Sequence, residues 1–229
     1  MITIGMILFN GMTQLDLTGP LEVFTRLPNT SVHLLSKTSD PVKCDRGLLI
    51  LPDTIFAECP KNLTILFVPG GPGVTKLLSD KEYLDFIKSR GGAKYITSVC
   101  TGSIILAACG LLDGFRATTH WLSLDFLEKF GISTENSRVV IDRNRITGGG
   151  VTSGIDFALV LVSKLLGEDV AKEIQLMIEY NPQPPFTSGH PDLASPSLVK
   201  KVVEERSEAQ KKRLEEIDSF LASNTSINK

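Results

Sequence analysis

Short apolar runs bounded by glycine, proline and asparagine alternate along this chain with longer segments whose apolar residues recur at helical spacing. That alternation predicts an α/β fold in which a mostly parallel sheet is covered by helices. The predicted strands are Ile2 to Leu8, Val32 to Ser36, Thr64 to Val68, Tyr95 to Val99, and the two short runs Val139 to Ile141 and Ile146 to Thr147. A turn leads into a first helix over Leu15 to Arg26, and Lys81 to Ser89 turns Leu84, Phe86 and Ile87 toward the sheet. Ser103 to Cys109 is small and apolar, as suits a helix packed close to the sheet. Trp121 to Phe130 reads as amphipathic, Thr152 to Leu166 as almost wholly apolar, and Glu168 to Tyr180 as the last helix of the compact region.

The pattern changes after Tyr180. Four prolines within Asn181 to Pro191 exclude regular helix and central strand, leaving a strap or linker. From Ser197 to Ala222 the apolar residues thin to a stripe, Leu198, Val202, Leu214, Ile217 and Leu221, among many charges. Such a stripe predicts a long helix packed on the parent domain or on a second subunit rather than used in chemistry. The division expected is therefore a catalytic domain, residues 1–190, and a C-terminal helical extension, residues 191–229.

Composition narrows the class. In 229 residues, 24 basic side chains nearly balance 26 acidic ones, which argues against a nucleic-acid footprint or a polybasic membrane patch and favours a small neutral or anionic substrate. The apolar N-terminus lacks a basic leader and is too short to span a bilayer, so it reads as a buried strand. Cys44, Cys59, Cys100 and Cys109 are irregularly spaced, and His33, His120 and His190 are scattered. Neither set suggests a disulfide framework or a metal site, and the expected setting is the cytoplasm.

Cys100 carries the first candidate chemistry. It ends the run Tyr95 to Val99 and precedes Thr101-Gly102-Ser103 and a helix, so it falls at the carboxyl end of a strand, where open α/β sheets bind their ligands. Amides and the positive dipole end of the following helix favour a thiolate and can hold a developing anion. The alternative is an inert buried thiol, the reading adopted for Cys109 within its apolar run. A second glycine-rich turn, Pro69 to Gly73, brings the amide of Gly71 toward the same crevice, unless it is only an ordinary strand-to-helix turn. A third, Thr147 to Gly154, opens the apolar helix with Thr152 or Ser153 as cap; it keeps neither a phosphate-loop nor a dinucleotide spacing, so no cofactor is expected.

Four segments, Phe67-Val-Pro-Gly-Gly-Pro-Gly73, Ser98-Val-Cys-Thr-Gly-Ser103, Ala117-Thr-Thr-His-Trp121 and Gly148-Gly-Gly-Val-Thr-Ser-Gly154, resemble in order and spacing the DJ-1/PfpI superfamily, over about Ile2 to Tyr180. Leu15 to Phe24 and Glu179 to Phe186 resemble its isonitrile hydratase branch, whose motifs are shared with the amidase-like domain of some AraC-type regulators. The resemblance implies a flavodoxin-like three-layer sandwich, a homodimer, and a cysteine nucleophile on a strained elbow with a nearby acid and no cofactor. Carried onto this chain, it implies Cys100 as nucleophile, Asp16 as acid, the amides of Gly71 and Thr101 as an anion pocket, and the Thr101 side chain beside the substrate. The loop around Gly149 and the segment near Phe186 would then shape substrate selectivity.

Without the resemblance, Asp16 reads as a cap of the first helix. Glu22 is the rival acid, on a helix that could turn it to solvent. His120 invites a Cys-His-acid triad; the alternative is a structural histidine beside Trp121. Thr101 stands where the proteolytic branch has histidine directly after the cysteine, which argues against a protease. The function implied is hydration of an isonitrile to an N-substituted formamide through a cysteine thioimidate. The alternatives are a glyoxalase-like or other cysteine-dependent hydrolase, or a ligand- or redox-sensing domain. A regulator would continue into a DNA-binding region of roughly a hundred residues, more than the stretch after Tyr180 provides.

Overall fold

The computed structural model describes residues 1–225, with only the backbone of Thr225; residues 226–229 of the expected C-terminal extension lie outside the described residues. The chain runs β1 (Ile2–Ile7), α1 (Gln14–Phe24), β2 (Thr30–Ser36), β3 (Val42–Lys43), β4 (Leu49–Ile50), β5 (Thr54–Ile55), β6 (Ile65–Val68), α2 (Val74–Leu77), α3 (Lys81–Ser89), β7 (Tyr95–Val99) and α4 (Gly102–Ala108). It continues through β8 (Arg116–Ala117), α5 (Leu124–Glu128), β9 (Ser133–Thr134), β10 (Val139–Asp142), β11 (Arg145–Gly148), α6 (Ser153–Leu166), α7 (Glu168–Met177) and α8 (Pro196–Thr225).

Seven strands form the central sheet in the order β10-β11-β7-β6-β1-β2-β5. Every neighbouring pair is parallel except β10 and β11, which the two-residue turn Arg143-Asn144 folds into a hairpin, Arg143 having a φ of 55°. The inner strands are apolar because both their faces are covered: β6 is buried at all four positions, and β1 from Gly5 inward shows no polar side chain. On one face Phe24 of α1, Phe67 of β6 and Phe157 of α6 meet with ring centroids 5.7–6.4 Å apart. On the other, α3, α4 and α5 pack in succession, α4 contributing the buried Ile104, Ile105 and Leu106. The flavodoxin-like three-layer α/β fold expected from the sequence is the fold observed.

From β1 the chain adds β2 and β5 on one side, then returns to place β6 on the other side of β1 and continues to β7 and β11. The reversal lies between β1 and β6, so the crevice outside their carboxyl ends is where this topology holds a ligand. The segments leaving β1, β6, β7 and β11 supply Asp16, Gly71, Cys100 and Gly149.

Several local expectations change. Trp121 to Phe130 is not one helix: a single 3₁₀ turn over Trp121–Ser123 precedes α5, because His120 Nδ1 accepts the amide hydrogen of Leu122 and tightens the entry. Helix α7 ends at Met177, short of Tyr180, where Glu179 turns to a φ of 51°. Thr152 makes no side-chain cap; Ser153 Oγ instead donates back to the Gly150 carbonyl. The thin stripe beyond residue 197 is one helix, α8, whose Ile217 is fully buried. No helix among the described residues is long and apolar enough to cross a membrane.

Candidate active site

Cys100 follows β7 directly and adopts a φ of 55°, a left-handed conformation that a non-glycine residue takes only when its surroundings impose it. Here they do. Its amide donates to the carbonyls of both Gly148 and Gly149, at 3.0 and 2.8 Å. Its carbonyl accepts from Thr119 Oγ1 at 2.9 Å and Ser103 Oγ at 3.1 Å. The sharp turn is thus locked from β11, from the segment before α5, and from α4, and the thiol is left at the crevice, 6% exposed.

The turn also needs room on its β6 side. A Cβ on Gly70 would lie 2.5 Å from the Thr101 nitrogen and 2.8 Å from Cys100 Cβ, so only glycine allows this approach. Gly70→Ala is expected to cost about 1–3 kcal/mol of stability by overpacking, read as a lowered melting temperature, and to abolish alkylation of Cys100 by displacing it. Unchanged melting and alkylation would show that the approach is not constrained.

Asp16 is not a helix cap. It is fully buried in the first turn of α1, and its Oδ2 accepts the amide hydrogen of Gly70 at 3.1 Å. Oδ1 is buried without a conventional partner, and the carboxyl interacts with the Cys100 thiol. Burial pushes the Asp16 pKa up to about 7, against the opposing hydrogen bonds from Cys100 and Gly70. Burial, and next the charge of Asp16, also push the Cys100 thiol well up, while the Thr101 amide pulls the other way. Two adjacent negative charges are costly, so the pair keeps one proton between carboxyl and sulfur over a wide range. Alkylation of Cys100 by iodoacetamide is therefore expected to rise with pH through a midpoint displaced above the ordinary thiol value of 9.0, and at lower pH in Asp16→Asn, which removes the neighbouring charge. A midpoint at or below 9.0 would mean that burial and Asp16 do not hold the thiol protonated.

Thr101 and Gly71 meet, but not as two free amides. The Gly71 amide donates to Thr101 Oγ1 at 2.9 Å, so its hydrogen is occupied by the threonine hydroxyl, and Gly71 reaches this position with a φ of 135°. The Thr101 amide points at the Cys100 sulfur. The two amides of the expected anion pocket therefore differ: that of Thr101 is directed at sulfur, and that of Gly71 is engaged by the Thr101 hydroxyl. Gly149 contributes its carbonyl to the Cys100 amide, which fixes the turn.

His120 is not drawn into a triad. Its Nδ1 accepts from Leu122, its ring stacks on Trp121 at a centroid distance of 5.9 Å, and burial with the nearby cations Arg213 and Arg206 lowers its pKa to about 4. The ring is therefore uncharged at neutral pH. Glu22 points away, its side chain 60% exposed and ion-paired with Arg26. Cys109 lies in the core, its thiol pushed up to about 12 by burial, and Cys44 and Cys59 are buried free thiols. Among the described residues no three His, Cys, Asp or Glu side chains gather as metal ligands.

Three contributors escape the sequence reading. Gly70 holds the carboxylate and Thr119 holds the turn, both through bonds that only the tertiary fold creates. The third is Arg213 of α8, 8% exposed, whose Nη2 reaches the Gly71 carbonyl at 3.4 Å. Its position was readable in principle, since it lies four residues before the buried Ile217 and so shares its face of the helix.

A buried carboxyl beside a cysteine on a left-handed strand-to-helix turn, at the switch point of a parallel sheet, defines a cysteine-centred α/β protein of the flavodoxin-like class. The chain belongs to the DJ-1/PfpI family, whose model matches residues 3–164. It is 50% identical over 199 residues to the isonitrile hydratase of Pseudomonas putida, covering 86% of this chain and 87% of that one. A crystal structure of a ThiJ/PfpI family protein from Pseudomonas syringae superposes with a TM-score of 0.92 at 45% identity, covering 94% and 90% of the two chains. The HTH-type transcriptional regulator GbdR of Pseudomonas aeruginosa is 30% identical over 187 residues, which are 78% of this chain but 50% of the regulator.

Proposed function

We propose that this protein is an isonitrile hydratase, with Cys100 as nucleophile and Asp16 as the proton donor. The observation that carries the reading is the Asp16–Cys100 pair, a buried carboxyl against a buried thiol at one crevice. The 50% identity to a hydratase across nearly the whole of both chains supports the choice of reaction.

The isonitrile R–N≡C presents a carbon that is open both to a nucleophile and to a proton. The Cys100 thiolate forms a bond to that carbon, and the Asp16 proton is delivered to the same carbon, giving the thioimidate R–N=CH–S–Cys100. Water then adds to the carbon, with the Asp16 carboxylate taking one of its protons. The remaining hydroxyl proton ends on the nitrogen, the C–S bond breaks as the C=O bond forms, and R–NH–CHO leaves with the thiolate and the protonated Asp16 regenerated. Overall one water is consumed and no oxidant, metal or cofactor enters the balance. The amide of Thr101 supports sulfur as the negative charge moves on and off it, and the Thr101 side chain is assigned to the substrate side from the resemblance to the hydratase branch. The reading carries with it a homodimer, a cytoplasmic setting, and a catalytic domain over residues 1–190.

Incubation with an aryl isonitrile, alongside methylglyoxal in a separate reaction, tests the assignment. N-aryl formamide is the expected product, forming faster than lactate forms from methylglyoxal. Faster lactate formation would move the chain to glyoxalase chemistry at the same cysteine, and no formamide would remove the hydratase reading.

A further inference from the structure

Arg213 presents an unusual electrostatic situation. Its side chain is about nine-tenths buried, yet every hydrogen-bond partner is neutral: the Gly71 carbonyl at 3.4 Å, Thr75 Oγ1 at 3.3 Å and Gln210 Oε1 at 3.3 Å. Among the described residues no carboxylate pairs with it. An uncompensated buried guanidinium is costly, and such a charge is normally matched by an anion. The one ionisable group whose negative form it favours, and which in turn favours the guanidinium's charge, is the Cys100 sulfur.

The anchoring is specific. Nη2 grips the carbonyl of Gly71, the same residue whose amide holds the Thr101 hydroxyl, so guanidinium, Gly71 and Thr101 form one connected group beside the turn. Gln210, one turn back on α8, donates to the Leu122 carbonyl and orients the guanidinium with its own oxygen. Ser79 to Glu216 and Lys129 to Asp218 tie the following turn of α8 to the domain. The helix is therefore clamped on both sides of Arg213.

We propose that Arg213 is a positioning residue that holds negative charge on the Cys100 sulfur, so that α8 completes the active site rather than merely covering it. The proposal rests on Cys100 being the nucleophile, and not on which substrate it attacks. The charged and titratable groups concerned are few. Asp16 of α1 faces the sulfur and opposes the thiolate, Arg213 of α8 favours it, and His120, kept neutral, faces Arg213 and Arg206. Asp45 acts on Asp16 from the turn after β3. Arg213 is the counterweight that lowers the cost of placing charge on a sulfur which burial and Asp16 otherwise hold protonated.

The pH dependence of Cys100 alkylation by iodoacetamide, followed by peptide mass spectrometry on the full chain, reads this directly and needs no isonitrile. Arg213→Gln is expected to raise the midpoint by about one unit, a tenfold loss of thiolate below the midpoint. Arg213→Lys, which keeps the charge, is expected to stay nearer the parent protein. An unmoved midpoint in Arg213→Gln overturns the proposal even if the variant melts earlier, and an equal displacement in both variants assigns the effect to packing and overturns it too. Should Arg213→Gln not fold, Gln210→Ala loosens the guanidinium without changing its charge and is expected to raise the midpoint by a smaller amount; no movement there also overturns it. A raised midpoint in a protein that makes no formamide would sustain the role of Arg213 while removing the hydratase reading.

Discussion

Asp16→Asn is expected to lower kcat/KM for isonitrile hydration by about 10²–10⁴ while making the protein more stable near pH 8. The loss follows from the shared proton. Asparagine still offers an oxygen to the Gly70 amide, so the loop after β6 is held, but it has no acidic proton to give to carbon. Cys100 must then titrate alone against its burial. The gain follows from linkage. A carboxyl whose pKa rises from 3.8 unfolded to about 7 folded stabilises the fold fully only below pH 3.8. That contribution is lost as pH rises and is gone above about 7, a cost of at most roughly 4 kcal/mol, reduced by the coupling to Cys100. Melting temperatures of the variant and the parent should therefore diverge as pH rises from about 4 to 7 and run in parallel above it. A constant difference across that range would mean that Asp16 is ionised as an ordinary carboxylate, and full activity in the variant would remove it from the reaction. A residue that costs stability and is needed for turnover is a common pattern in active sites.

Cys100→Ala is expected to abolish turnover to the uncatalysed level without loss of fold. The backbone of the turn is held by the Gly148, Gly149, Thr119 and Ser103 bonds, none of which uses the thiol. Alanine at a φ near 55° bears the same strain that cysteine does, so the melting temperature should change little. Formamide production by a folded Cys100→Ala protein would mean that water attacks the isonitrile without a covalent step.

The strands and the place of Cys100 were legible because buried parallel strands are short apolar runs and their ends are marked by glycine and proline. Tyr95–Val99 and Lys81–Ser89 were read to the residue, since each has sharp polar or turn boundaries. Trp121 to Phe130 was misread because the hydrogen bond from Leu122 to the His120 ring acts against the helical period. Asp16 was ambiguous for a physical reason: an aspartate at the start of a helix caps or reacts according to what faces it, and the loop after β6 faces it only in the folded chain. The resemblance, rather than spacing, pointed to the reacting role. The same limit hid the engagement of the Gly71 amide by the Thr101 hydroxyl.

Arg213 was missed more completely. Its contact with Gly71 spans 142 residues of sequence, and the stripe that carries it is thin enough to read as packing alone. The buried Ile217 one turn on shows which face is turned inward. A charged residue on that face was the available signal, because a guanidinium on the buried side of a helix must meet an anion or a set of oxygens.

Cys100 as a covalent nucleophile is tested most directly by mixing the protein with an aryl isonitrile, quenching with acid during turnover, and weighing the intact chain and its Cys100 peptide. An increase equal to the mass of one isonitrile, located on Cys100 and absent in Cys100→Ala, is the expected result. Steady formamide production with an unmodified Cys100 at every quench time, in an assay able to trap a known thioimidate, would contradict it.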